Sequence, residues 1–252
     1  MKRTTQIFTS ACLLAVFLFT ACHGDKKGDD LLKQNEVKIA VDATFRPIME
    51  MELDQFAKTH LDAILKPVYC SEDSAIRLLL NDSVRTIVVT RKLTANEQER
   101  LRQHRLSGAQ SLIATDAFAL IVNKNNPDTL IRVDEIRKIV SGQITHWNQL
   151  EKGSKKSKIH LVFDDSRSST VRYMRDSLCG GMPLKGNLFA QGSNMAVIQA
   201  VKDNPDAIGV VGTDWLRGDN ATVLPNFDHL DVKVMLVTAS KEQFPQYYRP
   251  YQ

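Results

Sequence analysis

Residues 118–150 read FALIVNKNNPDTLIRVDEIRKIVSGQITHWNQL. The run opens with five apolar residues, 118–122, and then meets Asn123. Such a short apolar run bounded by turn formers reads as a buried strand. Asn126-Pro127 marks a turn, because proline cannot continue a ladder and disfavours helix in the residue before it. Residues 133–140 (VDEIRKIV) then repeat apolar positions at helical spacing, and Gly142 stops the helix. Strand, turn, helix and glycine stop within 33 residues are the units of an α/β protein.

The same alternation continues on both sides. Residues 37–41 (VKIAV) predict a strand, followed by Thr44, Phe45 and a helix with Pro47 in its first turn, where a missing N–H is harmless. Further strands are predicted over 64–69, 86–89, 159–163 and 207–211. Ser71 is placed to cap a helix carrying Ile76, Leu79 and Leu80, and Thr94-Ala95-Asn96-Glu97 is a capping box that opens another helix, ending near His104. Ser168-Ser169-Thr170 and Ser193-Asn194 each stand between a strand and a helix. Repeated strand–helix units imply a largely parallel sheet.

At the N-terminus, Lys2 and Arg3 precede an apolar run over residues 11–21 that ends at Cys22. The run is shorter than the ~20 residues of a membrane span and fits a secretory signal. Phe19-Thr20-Ala21-Cys22 resembles a bacterial lipobox, which implies that Cys22 becomes the lipidated first residue of the mature chain. The polar stretch after it reads as a flexible tether. Of four cysteines, Cys12 leaves with the signal, Cys22 carries lipid, and Cys70 and Cys179 are expected to be free thiols in different lobes.

Composition excludes several classes. The 252 residues are 43% hydrophobic and 25% charged, which is ordinary for a folded soluble domain. A net charge of +4 without a clustered basic face gives no nucleic-acid footprint. The six histidines are scattered, no CxxC occurs, and nothing has zinc-ligand spacing, so neither metal nor cofactor is expected. Asp164 and Asp165 are adjacent and cannot share one face of a strand. Four lysines in residues 152–158 read as a solvated loop. Phosphate loops, nucleophile elbows and HExxH are absent, and no nucleophile–base pair is apparent.

Two hydroxyl-bearing segments stand out. Thr44-Phe45 and Ser168-Ser169-Thr170 both follow a strand and open a helix, where N–H groups are unpaired and partial charge is positive. Two such ends facing one cleft would hold a small oxyanion. From spacing alone, each cluster capping its own helix is the first explanation.

The stretch 118–150 also resembles the signature of periplasmic phosphate-binding proteins of the Pst-type ABC transporter, through Asn123, Pro127, Gly142, Ile144 and Trp147. Asp42-Ala43-Thr44-Phe45 looks like the family's first anion loop. Thr90-Arg91-Lys92-Leu93-Thr94 looks like its Ser-Arg-Pro-Leu-Thr segment, Ser168-Ser169-Thr170 stands where it has Ser-Gly-Thr, and residues 207–211 resemble its hinge-return strand. The resemblance covers residues 37–216 and implies a type II periplasmic-binding-protein fold of two α/β lobes joined by two crossings. Residues 1–21 would be signal, 22–36 tether, 37–114 the first part of lobe I, 115–212 lobe II, and 213–252 a return to lobe I.

The resemblance further implies capture of inorganic phosphate, or another tetrahedral oxyanion, by a monomeric, membrane-anchored extracytoplasmic protein that serves an ABC permease and catalyses nothing. An anion-sensing or cell-surface module of the same fold is the alternative, and a phosphomonoester hydrolase a third. The implied ligand groups are Thr44, Phe45, Ser168, Ser169 and Thr170, with Ser71 and Ser74 as further donors. Two positions depart from the pattern. Arg85 stands where the family has an acid, and Asp164 where it often has arginine, which predicts a charge pair across the cleft with its signs exchanged. The carboxylate that would recognise a protonated oxyanion is then Asp164, Asp42 or Asp116, or the filter is absent.

Overall fold

A computed structural model of the chain describes residues 36–217 and 230–250. The expectations for the signal and Cys22 lie outside these residues, as does the expected tether apart from Glu36, which opens the first strand.

Lobe I is built on β1 (Glu36–Asp42), flanked by β2 (Ile64–Cys70) and β3 (Thr86–Val88) in a parallel sheet ordered β2-β1-β3. The central strand buries Ile39, Ala40 and Val41. Helix α1 (Arg46–Thr59) lies against β2 with no fully buried residue. Helix α2 (Glu72–Leu80) buries Ala75, Ile76 and Leu80, and Ile76 and Leu80 cluster with Leu93 and with Leu101 of α3 (Ala95–Gln103). The capping box forms as predicted. Thr94 N–H donates to Glu97 Oε2 at 2.7 Å, and Glu97 N–H to Thr94 Oγ1 at 3.3 Å. Arg91 adds a bidentate pair to Glu97, both bonds 2.8 Å.

Lobe II holds the five-stranded sheet β7-β6-β8-β4-β9, from β4 (Phe118–Asn123), β6 (His160–Phe163), β7 (Leu188–Ala190), β8 (Ala207–Gly212) and β9 (Val232–Val234). Strands β6, β7 and β8 are parallel, while β4 runs antiparallel to both β8 and β9. Successive residues of β4 face opposite ways. Leu120 and Val122 join one apolar cluster with Trp147 and Phe163, and Ala119 and Ile121 join another with Val197 of α6 (Asn194–Asp203). A strand buried on both faces reads as a continuous apolar run.

The signature stretch folds for physical reasons. Helix α4 (Val133–Val140) has the predicted bounds, preceded by the short strand β5 (Leu130–Arg132). Gly142 has φ +78°, and a Cβ there would meet Lys185 O at 2.8 Å. The Gln149 side chain accepts from the N–H groups of Thr145 and His146, at 2.8 and 2.9 Å. Trp147 is fully buried and donates Nε1–H to Asp206 O at 3.2 Å.

One boundary differs from expectation. Past residues 213–217, whose Trp215 reaches Thr44 of lobe I, the described residues join lobe II rather than returning to lobe I. Strand β9 extends the lobe II sheet beside β4, and β10 (Leu236–Thr238) pairs in parallel with β5. The buried edge of β4 requires a hydrogen-bonding partner, and the apolar β9 supplies it. The crossings lie side by side, with Thr213 N–H donating to Ala117 O at 2.9 Å and Thr213 Oγ1 to Asp116 Oδ1 at 3.1 Å. Asp116 thus ties the hinge. Cys70 and Cys179 are free thiols in different lobes.

Arg91 holds the Glu97 carboxyl down to about 2 from 4.5, the bond from Thr94 N–H helping. A lowered carboxylate stabilises the fold above its unfolded value and loses that contribution as pH falls from 4.5 toward 2. Glu97→Gln is expected to cost about 2 kcal/mol at neutral pH. Urea midpoints across that pH range check it: the variant's midpoint falls less steeply with acid than the parent's.

Candidate functional site

Parallel α/β sheets place their crevices at the carboxyl ends of the strands. Here the two lobes bring such ends face to face. Strand β1 ends at Asp42, followed by the 3-10 turn Ala43–Phe45, and β6 ends before Asp164, followed by α5 (Ser169–Tyr173). Between these two strand ends the lobes touch where Thr44 Oγ1 and Ser169 Oγ lie 3.3 Å apart. Both residues are buried, as are Ser168 and Thr170.

The residues around this contact also make local bonds. Asp42 Oδ1 accepts from Thr44 N–H at 3.0 Å, so that donor, expected to be open to a ligand, is already engaged. Ser168 Oγ accepts from Val171 N–H at 3.4 Å and lies 2.7 Å from Thr170 Oγ1, which donates to Asp164 Oδ1 at 3.0 Å. In lobe II the cap is Ser168, next to the contact residue Ser169; in lobe I Asp42, not Thr44, is the cap. Gly212 and Trp215 hold Thr44 in place. A Cβ on Gly212 would meet Thr44 Cγ2 at 2.7 Å, and Trp215 Nε1–H donates to Thr44 O at 2.8 Å.

Beside this contact lies a cleft of about 530 Å³, lined from both lobes by Asp42, Ser71, Ser74, Asp164, Ser193 and Asn194 among others. Ser71 does not cap α2; its Oγ meets Ser74 Oγ at 2.9 Å, and Arg77 donates to Ser74 at 3.0 Å. Phe45 is half-buried at the start of α1. Arg46 and Arg167 stand at the cleft wall.

The exchanged charge pair does not form. Arg85 precedes β3, at the end of a parallel strand remote from the cleft, and its exposed guanidinium pairs with Asp82 at 2.6 Å. Asp164 is buried and bonded by Thr170 and, at 3.4 Å, by Asn194 Nδ2. The resemblance implies a place for Arg85 beside the site, but β3 runs parallel to β1 and Arg85 precedes it, at the end opposite Asp42. The ion pair that does cross between lobes joins Glu72 to Arg172, 100 residues apart. Glu72 stands in the chain between the expected donors Ser71 and Ser74, whereas nothing local distinguishes Arg172. Local sequence marks Asn194 only as a helix start.

Asp42 is the electrostatic centre of the cleft. Burial raises its carboxyl from 3.8 to about 6, moderated by the nearby Ser169 hydroxyl and by Thr44. Its Oδ2 is buried without a hydrogen-bond partner, as is Asn194 Oδ1. Such atoms are costly until a donor reaches them. Among the described residues no group of three or more His, Cys, Asp and Glu side chains could hold a metal ion.

The model of the PBP superfamily domain matches residues 27–251. A phosphate-binding protein PstS from Bacillus subtilis is 25% identical over 234 residues, covering 89% of this chain and 75% of its own length. One from Staphylococcus saprophyticus is 23% identical over 214 residues, covering 83% of this chain; the chain spans 66% of that relative's length. A substrate-binding protein assigned to phosphate ABC transport in Clostridium perfringens, solved with bound phosphate, superposes with a TM-score of 0.66 at 22% identity, covering 82% of this chain and 77% of its own.

A carboxyl raised on folding destabilises the ionised state, so stability falls as pH rises from 3.8 through about 6. Asp42→Asn keeps the acceptor for Thr44 N–H and removes the charge. It is expected to stabilise the unliganded protein at pH 7.5 by about 1–3 kcal/mol, with little change at pH 4. Calorimetric melting at the two pH values checks it; equal effects at both would contradict the assignment.

Proposed function

Because the chain belongs to the PBP superfamily, we propose that it is an extracytoplasmic solute-binding lipoprotein that captures inorganic phosphate between its lobes and delivers it to an ABC permease. The observation that supports this reading best is the 3.3 Å approach of Thr44 Oγ1 and Ser169 Oγ from opposite lobes, each beside the start of a helical segment.

In this reading no bond is made or broken. Parting the lobes separates the two hydroxyls and opens the buried cluster to solvent. An anion entering there exchanges water for hydroxyl donors and for N–H groups at the helix starts. Closure then gives it contacts from both lobes at once, and differential affinity for the closed form does the work. Thr44, Ser169 and Thr170 are the central ligand groups, with Phe45, Ser168, Ser71 and Ser74 around them. Arg85 has no part. Selectivity falls to Asp42: a phosphate oxygen that keeps its proton donates to the unpartnered Oδ2, whereas sulfate at neutral pH has no proton to offer and meets a like charge.

Two outcomes are expected. Titration calorimetry at pH 7.5 detects phosphate binding and much weaker sulfate binding, and the preference narrows as pH falls below about 6, where Asp42 takes up its own proton. Heat with another anion but none with phosphate would overturn the reading. In cells, Cys22→Ser shifts the protein from the membrane to the soluble fraction; an unchanged distribution would remove the lipid anchor from the account.

A further inference from the structure

The lobes meet a second time, outside the cleft lining. Glu72 opens α2 in lobe I and its side chain is only 1% exposed. Oε1 accepts from Thr90 N–H at 2.9 Å and from Thr90 Oγ1 at 2.6 Å. Oε2 accepts from Nε of Arg172, which α5 carries in lobe II. Arg172 Nη2 donates in turn to Thr90 Oγ1 at 2.6 Å. The Thr90 hydroxyl thus gives its proton to Glu72 and accepts one from Arg172, closing a three-membered network of which two members belong to lobe I and one to lobe II.

Neighbouring charges extend the pattern. Arg175 is raised chiefly by Asp176, with Asp73 of lobe I adding to the shift. Asp176 is lowered chiefly by Arg175, with Arg172 and, from lobe I, Arg91 contributing. Lobe I therefore presents Glu72, Asp73 and Arg91 to Arg172, Arg175 and Asp176 of lobe II, each sign meeting its opposite. A π-helical turn, Met174–Leu178, follows α5 and carries Arg175 and Asp176. Such turns are rare and concentrate at functional sites.

Taking one partner away from a buried ion pair leaves the other charge buried and unpaired, which disfavours the geometry that held the pair. Here that geometry exists only while the lobes are together. Opening the cleft separates Arg172 from Glu72 and Thr90, while the bonds between Glu72 and Thr90 persist within lobe I. We propose that Glu72 and Arg172 are a charge latch: a positioning pair, outside the ligand cleft, that biases the lobes toward closure and so sets how tightly the cleft holds its anion. The ligand in this inference rests on the phosphate reading above; the latch itself does not.

The test combines solution scattering with phosphate calorimetry on the parent, Arg172→Gln, Glu72→Gln, the double variant and Arg172→Lys. Unliganded Arg172→Gln is expected to have a larger radius of gyration than the parent and to bind phosphate about tenfold or more weakly. Both properties recover in part in Arg172→Lys, which keeps the charge. The double variant is expected to lose little beyond either single one, because the two residues act as a unit. An unchanged radius and affinity in Arg172→Gln would overturn the latch, as would a lost affinity with an unchanged radius and additive single effects. If the parent binds no phosphate, the phosphate reading falls and the scattering series alone decides the latch.

Discussion

The pairing of the Thr44 and Ser169 hydroxyls is the constraint around which the rest of the molecule is arranged. Two small polar side chains from separate lobes can lie 3.3 Å apart only if both strand ends point into one crevice and the crossings hold the lobes in register. Thr213 supplies that register by bonding Ala117 and Asp116, and Trp215 carries it to Thr44 through its indole N–H. Gly212 completes the arrangement, since a side chain there would occupy the space of the Thr44 methyl group.

Three buried carboxylates surround this contact, and their partners differ in kind. Asp164 is bonded by Thr170 and Asn194, so it serves as scaffold for the start of α5. Glu72 is bonded by Thr90 and Arg172 and joins the lobes. Asp42 keeps one oxygen without a partner. A buried acceptor in want of a donor suits a ligand that brings its own proton, and it is tolerable without one only when the carboxyl is neutral or the cleft is open. Pockets of this character discriminate by what they leave unsatisfied as much as by what they bond.

Much of this arrangement was legible in the sequence wherever the signal was local. The capping box at Thr94 and Glu97, the bounds of α4, the glycine stop at Gly142 and the hydroxyl clusters after β1 and β6 all depend on residues within a turn or two of one another. The signature around Trp147 was legible as resemblance, and the structure supplies its physical reason in a buried indole and a glutamine that bonds two backbone N–H groups. The three-residue strands β5, β7, β9 and β10 carry too few residues for a periodicity. The destination of the chain after Thr213 depends on which lobe offers an unpaired strand edge, which no local pattern encodes. Arg85 illustrates the same limit: counting along the chain ignores strand direction, and one strand length separates the two ends. The link between Glu72 and Arg172 spans 100 residues and follows only from the closed geometry.

A crystal structure of the protein grown with phosphate tests the central claim most directly. The account predicts one tetrahedral anion between β1 and β6, accepting from the Thr44 hydroxyl on one side and from Ser169 or Thr170 on the other, with an anion oxygen facing Asp42 Oδ2. An anion bound by one lobe alone, or on the outer surface while the Thr44–Ser169 contact stays intact, would contradict it.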